Sequence, residues 1–226
     1  MLELRYAVAP IVDVQVRDAG DDGSWTMSGY AAAFNQATTL YDGRFLKLTE
    51  DIDPHAFDRV LREQPLTRPE GVVHFNFGHD MNRAVAATDV PAGQPGSLTL
   101  RPDGQGLHYL AKVARDDPDG AAMASKMRAG VLRQASFAFT IKNAKTVTSD
   151  LPDGRTQEHQ RILEIGHLYD VCATSQGAYP QTVSQLRSMA AQLGDLYEQD
   201  VPALHMRRRL SSQLERALIL HRTSSR

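Results

Sequence analysis

Residues 134 to 141, with the sequence QASFAFTI, restrict the possible folds more than any other stretch of the chain. In this segment small or polar side chains alternate with mostly large apolar ones. Side chains of an extended strand point in turn to opposite faces, so Phe137 and Phe139 share one face, which we expect in the core. Ser136 lies on the other face, and a slip of one residue would expose both phenylalanines. A hydroxyl fixed in this way can act as a nucleophile if a base lies within reach. The same pattern also fits an ordinary strand with a solvent-facing serine.

Other β-prone segments are separated by turns rich in glycine, proline and aspartate, which predicts a body made mostly of strands. The first two segments can form a hairpin, and the last is the longest and should be central. The predicted strands, including hairpins, lie within residues 2–16, 25–35, 45–50, 72–80, 97–113, 134–141 and 161–174.

Helical spacing of apolar residues appears in two places within this body and again at the end of the chain. The first helix is predicted to begin at Pro54, with Asp53 as its cap, and to end at Pro65. The second should begin at Asp117 and end before Gly130. The predicted fold class is therefore α+β: a mostly antiparallel β-barrel-like body with flanking helices and a C-terminal helical tail. We expect one domain at 1–182 and a separate helical tail at 183–226.

Charge and composition exclude several classes of function. A hydrophobic fraction of 42% fits a globular core, and a net charge of -2 argues against a general nucleic-acid binder. Residues 183–226 differ, with seven arginines against four carboxylates, which suits a solvated helical pair, self-association or recruitment of an acidic partner. The single cysteine, Cys172, excludes an internal disulfide and suits a reducing cytoplasm. No signal peptide or membrane span is visible, so we expect a soluble intracellular protein.

Patterns typical of metal and nucleotide sites are missing. His74 and His79 are five residues apart and Asp80 adjoins the second, but there is no HExxH or CxxC motif. A glycine-rich phosphate loop is also absent, and Ser136 does not lie in the GxSxG turn of the α/β-hydrolases. The sequence therefore predicts neither a metal nor another cofactor.

Five short motifs occur together in a characteristic order. They are GYAAAFN at 29–35, DPHAF at 53–57, HD at 79–80, SFAF at 136–139 and YDVCATSQGAYP at 169–180. In this order and spacing, the chain from about residue 29 to 182 resembles the tailed-phage prohead maturation proteases, relatives of the herpesvirus assemblins. It departs from the usual pattern at Ala138, His55 and Gly177, none of which removes a proposed catalytic atom.

The resemblance implies that Ser136 is the nucleophile and His79 the base. The third member is an acidic residue in the strand before AYP, here Asp170. Assemblins use a second histidine in this role, and His167 is the alternative here. It lies on the same side of its strand as its apolar neighbours, which favours a histidine of the core instead. Strict alternation places His79 on the apolar side of its strand. Gly78 must therefore bend the chain, or the strand must end there, for His79 to reach Ser136.

The function implied by the resemblance is a serine endopeptidase that processes scaffold or capsid-protein extensions, and itself, during phage capsid maturation. Its partners would be the major capsid or scaffold protein, with self-association as a homodimer or larger assembly. It would act in the host bacterial cytoplasm, inside the immature capsid, and the tail would be removable. The alternative is a non-enzymatic assembly or scaffold protein with the same fold, and a small-ligand β-barrel has only the predicted architecture to support it.

Overall fold

The computed structural model describes residues 4–8, 15–18 and 23–175. These residues form eleven strands and two helices. In chain order the elements are β1 (Leu4–Val8), β2 (Gln15–Asp18), β3 (Ser24–Ala33), β4 (Thr38–Asp42), β5 (Leu46–Ile52), α1 (Asp58–Glu63), β6 (His74–Phe77), β7 (Asp80–Ala87), β8 (Leu98–Pro102), β9 (Gly106–Ala114), α2 (Pro118–Arg128), β10 (Gln134–Asp150) and β11 (Thr156–Thr174).

The predicted fold class is wrong in two respects. The described residues are mostly β, with only two short helices, so the class is not α+β. The strands also form two open sheets rather than a barrel. One sheet has the order β1-β10-β11-β5-β4, with β6 and β7 added beside β11, and the other has the order β2-β3-β9-β8. A barrel requires continuous pairing around its circumference. Between these two sheets, the described residues show an isolated bridge from Ala87 to Ser97. The predicted helical tail at 183–226 lies outside the described residues.

Local predictions for the first half of the chain are confirmed in part. The hairpin near the N-terminus is formed by β2 and β3, but β1 pairs with β10 instead. The first helix begins at Asp58 rather than Pro54, because residues 54–57 form turns. Asp53 accepts a hydrogen bond from the His55 amide at 2.9 Å, so its carboxylate caps the turn and not the helix.

The predictions for the hairpin at 97–113 and the second helix are confirmed. Strands β8 and β9 pair in antiparallel fashion. Helix α2 starts at Pro118, and the Asp117 side chain accepts hydrogen bonds from the amides of Asp119 and Gly120. Gly130 follows the helix with a φ of 69°, a conformation that glycine adopts without steric cost.

Strand β11 is central, as predicted, and changes partner along its length. Its first part pairs in parallel with β5, and residues 170–173 near its end pair in parallel with β6. Between these two ladders, side chains from α1 and from Gln64, the residue after it, make hydrogen bonds to the backbone of β11. Arg59 Nη2 donates to the carbonyl oxygens of Ile165 and Gly166. The Gln64 side-chain amide accepts a hydrogen bond from the Leu168 N–H and donates one to the Leu168 carbonyl oxygen.

The core lies where the two sheets share one hydrophobic cluster. The rings of Phe137 and Phe139 stack with centroids 4.5 Å apart, and Phe137 also contacts Phe57 at 5.5 Å. Both phenylalanines are fully buried, which confirms the predicted register of β10. The interpretation of Ser136 as solvent-facing is wrong, because this residue is only 2% exposed. Both faces of β10 are therefore covered at this point.

Candidate active site

Strand pairing places three polar side chains on one face of the larger sheet. In β10, Ser136 lies opposite Cys172, and Ala138, two residues on, lies opposite Asp170 of β11. Directly paired residues point to the same face, and so do residues two apart in a strand. Asp170 therefore shares the Ser136 face. Asn76 of β6 pairs with Cys172 and lies on this face as well.

His79 reaches this face from a tight turn. Strand β6 ends at Phe77 and β7 begins at Asp80, so Gly78 and His79 alone connect them. Their φ angles are 65° and 64°, and two successive positive values define a type I′ turn, which matches the twist of paired strands. The turn removes His79 from the alternation of β6. The predicted bend at Gly78 is therefore confirmed.

The hairpin that carries His79 is also held from the side. Arg83 of β7 donates from Nε to Asp119 Oδ1 at 2.8 Å, in the first turn of α2. The same guanidinium lies 4.2 Å from the centre of the Phe77 ring, a favourable cation–π distance. These contacts hold the β6–β7 hairpin in position relative to α2.

The side chains of Ser136, His79 and Asp170 form a continuous chain of hydrogen bonds. His79 Nε2 lies 2.8 Å from Ser136 Oγ, and His79 Nδ1 lies 2.7 Å from Asp170 Oδ1. An ionised carboxylate can only accept, so the proton of the neutral imidazole belongs on Nδ1. Nε2 is then free to accept the hydroxyl proton. The His79 and Asp170 side chains are 10% and 4% exposed, which shields the chain from water.

One polar residue in this site was missed by the sequence analysis. Asn76 is fully buried, accepts a hydrogen bond from the His79 amide at 2.8 Å, and donates to Asp170 Oδ2 at 3.0 Å. Its position in the sequence could have indicated it, because Asn76 is a polar residue between Phe75 and Phe77 in a strand that is otherwise aromatic.

His167 lies outside the chain of hydrogen bonds formed by Ser136, His79 and Asp170. It pairs with Thr140 in the sheet register, and its ring lies 4.4 Å from that of Tyr169. The residue is half-buried, and burial lowers the pKa of its imidazole. The structure thus brings Asp170, rather than His167, to His79.

The other residues considered from the sequence have local roles. Asp80 accepts from the Asn82 amide at 3.0 Å, and His55 contacts Asp58 on the surface. His74 opens β6 opposite Asp170. Among the residues that the structure describes, no three histidine, cysteine or acidic side chains converge on a metal position. The absence of a metal or cofactor stays a prediction, and Gly177 lies outside the described residues.

Cys172 is next to the proposed nucleophile but is poorly suited to attack. Burial, with a smaller contribution from the nearby Asp170 carboxylate, raises the pKa of the Cys172 thiol far above its usual range. Because the thiolate is the reactive form, this cysteine is chemically inert in the folded protein. Of these two side chains, Ser136 is therefore the better candidate for a nucleophile.

A serine hydroxyl that meets an imidazole, whose other nitrogen meets a carboxylate, is the arrangement found in serine hydrolases. The family model of the caudovirus prohead serine proteases matches residues 12–194. The chain therefore belongs to that family, which confirms the resemblance carried by its motifs. It is therefore a phage prohead protease.

The comparisons with individual proteins add less. No curated protein matches the chain. The solved structure of the bacteriophage T4 capsid assembly protease, gp21, is similar over 75% of this chain and 96% of that chain, with a TM-score of 0.38 and 12% sequence identity. None of the helices in the described part of the chain is long and apolar enough to cross a membrane.

Proposed function

We propose that the chain is a serine endopeptidase with Ser136 as nucleophile, His79 as general base and Asp170 as the group that orients the base. The observation that carries this proposal is the pair of hydrogen bonds on the two nitrogens of His79, 2.8 Å to Ser136 Oγ and 2.7 Å to Asp170 Oδ1. Both distances lie within the range required for proton transfer between a nucleophile and its base.

The geometry supports a two-step hydrolysis. Ser136 Oγ attacks the peptide carbonyl carbon while its proton passes to His79 Nε2, and the imidazolium then gives that proton to the leaving amine. A water molecule, deprotonated by the same nitrogen, releases the acyl group from Ser136. Asp170 keeps the Nδ1 proton in place and stabilises the imidazolium in both steps. Burial of the carboxylate strengthens this interaction, because little water competes for it.

The proposed substrates are extensions of scaffold or capsid proteins and the chain itself. This proposal rests on membership in the family of caudovirus prohead serine proteases. The site of action would be the immature capsid in the host cytoplasm, and the tail at 183–226 would be the segment removed. The boundary at residue 182 and the self-association of the chain stay predictions.

The test is the intact mass of the purified full chain over time, with Ser136→Ala prepared in parallel. We expect only the wild type to lose part of its tail, because Ser136→Ala removes the attacking oxygen and leaves the phenylalanine core unchanged. If both stay whole, even with capsid protein added, the non-enzymatic assembly protein becomes the better account. Equal clipping of both would assign the cut to another protease.

A further inference from the structure

We propose that Asn76 is a positioning residue, which closes a ring of three hydrogen bonds with His79 and Asp170 and so sets the orientation of the base. This inference rests on the proposed function, since it assigns the positioning of the same base. In the ring, Asn76 Oδ1 accepts from the His79 amide, His79 Nδ1 donates to Asp170 Oδ1, and Asp170 Oδ2 accepts from Asn76 Nδ2.

The ring permits only one orientation of the Asn76 amide. With the amide reversed, Oδ1 would face the Asp170 carboxylate and Nδ2 would face the His79 N–H, and neither pair could form a hydrogen bond. The second Nδ2 proton has a weak acceptor in Met81 Sδ at 3.3 Å. Every polar atom of this fully buried side chain is thus engaged. An amide held in this way fixes both groups that it contacts.

The contact with the His79 amide counteracts a backbone cost. The left-handed conformation is unfavourable for a residue with a side chain, and His79 has a φ of 64°. Asn76 binds the amide of this residue, at the tip of the turn. It therefore stabilises the backbone conformation that directs the imidazole toward Ser136.

The contact with Asp170 shows that Asn76 does more than cap a turn. A turn cap needs only the acceptor oxygen, whereas Nδ2 also binds the carboxylate oxygen that the imidazole leaves unused. Asp170 is 3% exposed, and a buried carboxylate oxygen without a donor would be costly. Asn76 thus fixes the carboxylate and the backbone of the imidazole relative to each other.

Two variants separate these contacts in the full chain. Asn76→Ala removes both of them. Asn76→Asp keeps the acceptor for the His79 amide but loses the donor for Asp170 wherever its carboxylate is ionised, so labelling is measured over a range of rising pH. Asn82→Ala, an exposed position in the same hairpin, is the matched control. The readouts are the rate at which Ser136 is labelled by a fluorophosphonate, and the far-downfield proton NMR signal of the His79 Nδ1 proton.

We expect both Asn76 variants to be labelled about 10- to 100-fold more slowly than the wild type. Their downfield signal should be shifted or lost, while Asn82→Ala matches the wild type. A role confined to the turn predicts that Asn76→Asp behaves as the wild type, and that result would overturn the proposal. Unchanged labelling and an unchanged signal in Asn76→Ala would also overturn it.

Two further results keep the test decisive. If Asn76→Ala does not unfold cooperatively, Asn76→Asp and the wild type still answer the question, because the ring requires slow solvent exchange of the Asn76 side-chain protons in the wild type. Fast exchange of those protons would contradict the ring. Absence of Ser136-dependent labelling in the wild type would instead refute the proposed function, and the NMR signals would still report on the ring.

Discussion

His79 occupies a backbone conformation that residues with a side chain seldom adopt, and this links its position to its chemistry. The two-residue turn directs the imidazole across the sheet instead of along the face predicted by alternation. Strained backbone is concentrated at functional sites, where neighbouring contacts hold it in place. Here the hydrogen bond that the His79 amide donates to Asn76 and the ladder on either side of the turn supply those contacts.

Substitution of Asp170 and of His167, the two candidates for the third member of the proposed triad, should affect the labelling rate very differently. Asp170→Asn cannot accept the Nδ1 proton as an ionised carboxylate does, so we expect the labelling rate of Ser136 by a fluorophosphonate to fall by about 10³- to 10⁴-fold. His167→Asn should leave that rate within a few-fold of the wild type, because His167 lies outside the hydrogen-bonded chain. A large loss in His167→Asn with little loss in Asp170→Asn would reverse the assignment.

At the scale of elements, the predictions from periodicity were most accurate where a pattern is local. Alternation identified the buried face of β10, and the Asp-Pro start identified α2. The change of partner along β11 could not be predicted, because pairing between distant segments leaves no periodic trace. The predicted start of α1 was wrong because Asp53 and Pro54 suit a turn as well as a helix.

The turn between β6 and β7 was anticipated only as a bend. Type I′ turns usually carry asparagine, aspartate or glycine at both central positions, and the Gly78-His79 pair departs from that preference. Asn76 was also not predicted, because one of its partners, His79, lies in this turn and the other, Asp170, lies far along the chain on β11. For the proposed triad itself, the resemblance of motifs supplied the three residues, and parity added the choice of Asp170 over His167.

Helix α1 and Gln64, the residue that follows it, stabilise the segment of β11 between its two ladders. Gln64 makes hydrogen bonds of 2.7 and 2.9 Å to the backbone of Leu168, so Gln64→Ala leaves those groups without their side-chain partner. We expect a loss of about 1–3 kcal/mol in the free energy of unfolding, measured with urea. Arg62→Ala, in the same helix with a side chain 71% exposed, is the control and should change stability by less than about 0.5 kcal/mol. Equal effects would contradict this role for Gln64.

For the whole molecule, composition and charge indicated a globular protein and argued against a general nucleic-acid binder, but they did not determine its architecture. A core of alternating strands was predicted and is present, whereas the expected barrel is two open sheets with one shared cluster. Local alternation is the same in an open and a closed sheet, so the sequence pattern could not separate them. The site lies on one face of the larger sheet, and its groups come from three strands and one turn.

The central claim is that Ser136 is the nucleophile, and covalent labelling tests it most directly. A fluorophosphonate reacts with an activated serine: Oγ bonds to phosphorus, fluoride leaves, and the base takes the hydroxyl proton. Peptide mass spectrometry of the labelled full chain should place one adduct on Ser136, with none in Ser136→Ala and very little in His79→Ala. Labelling of Ser136→Ala at the wild-type rate, or an adduct on another residue of the wild type, would contradict the account.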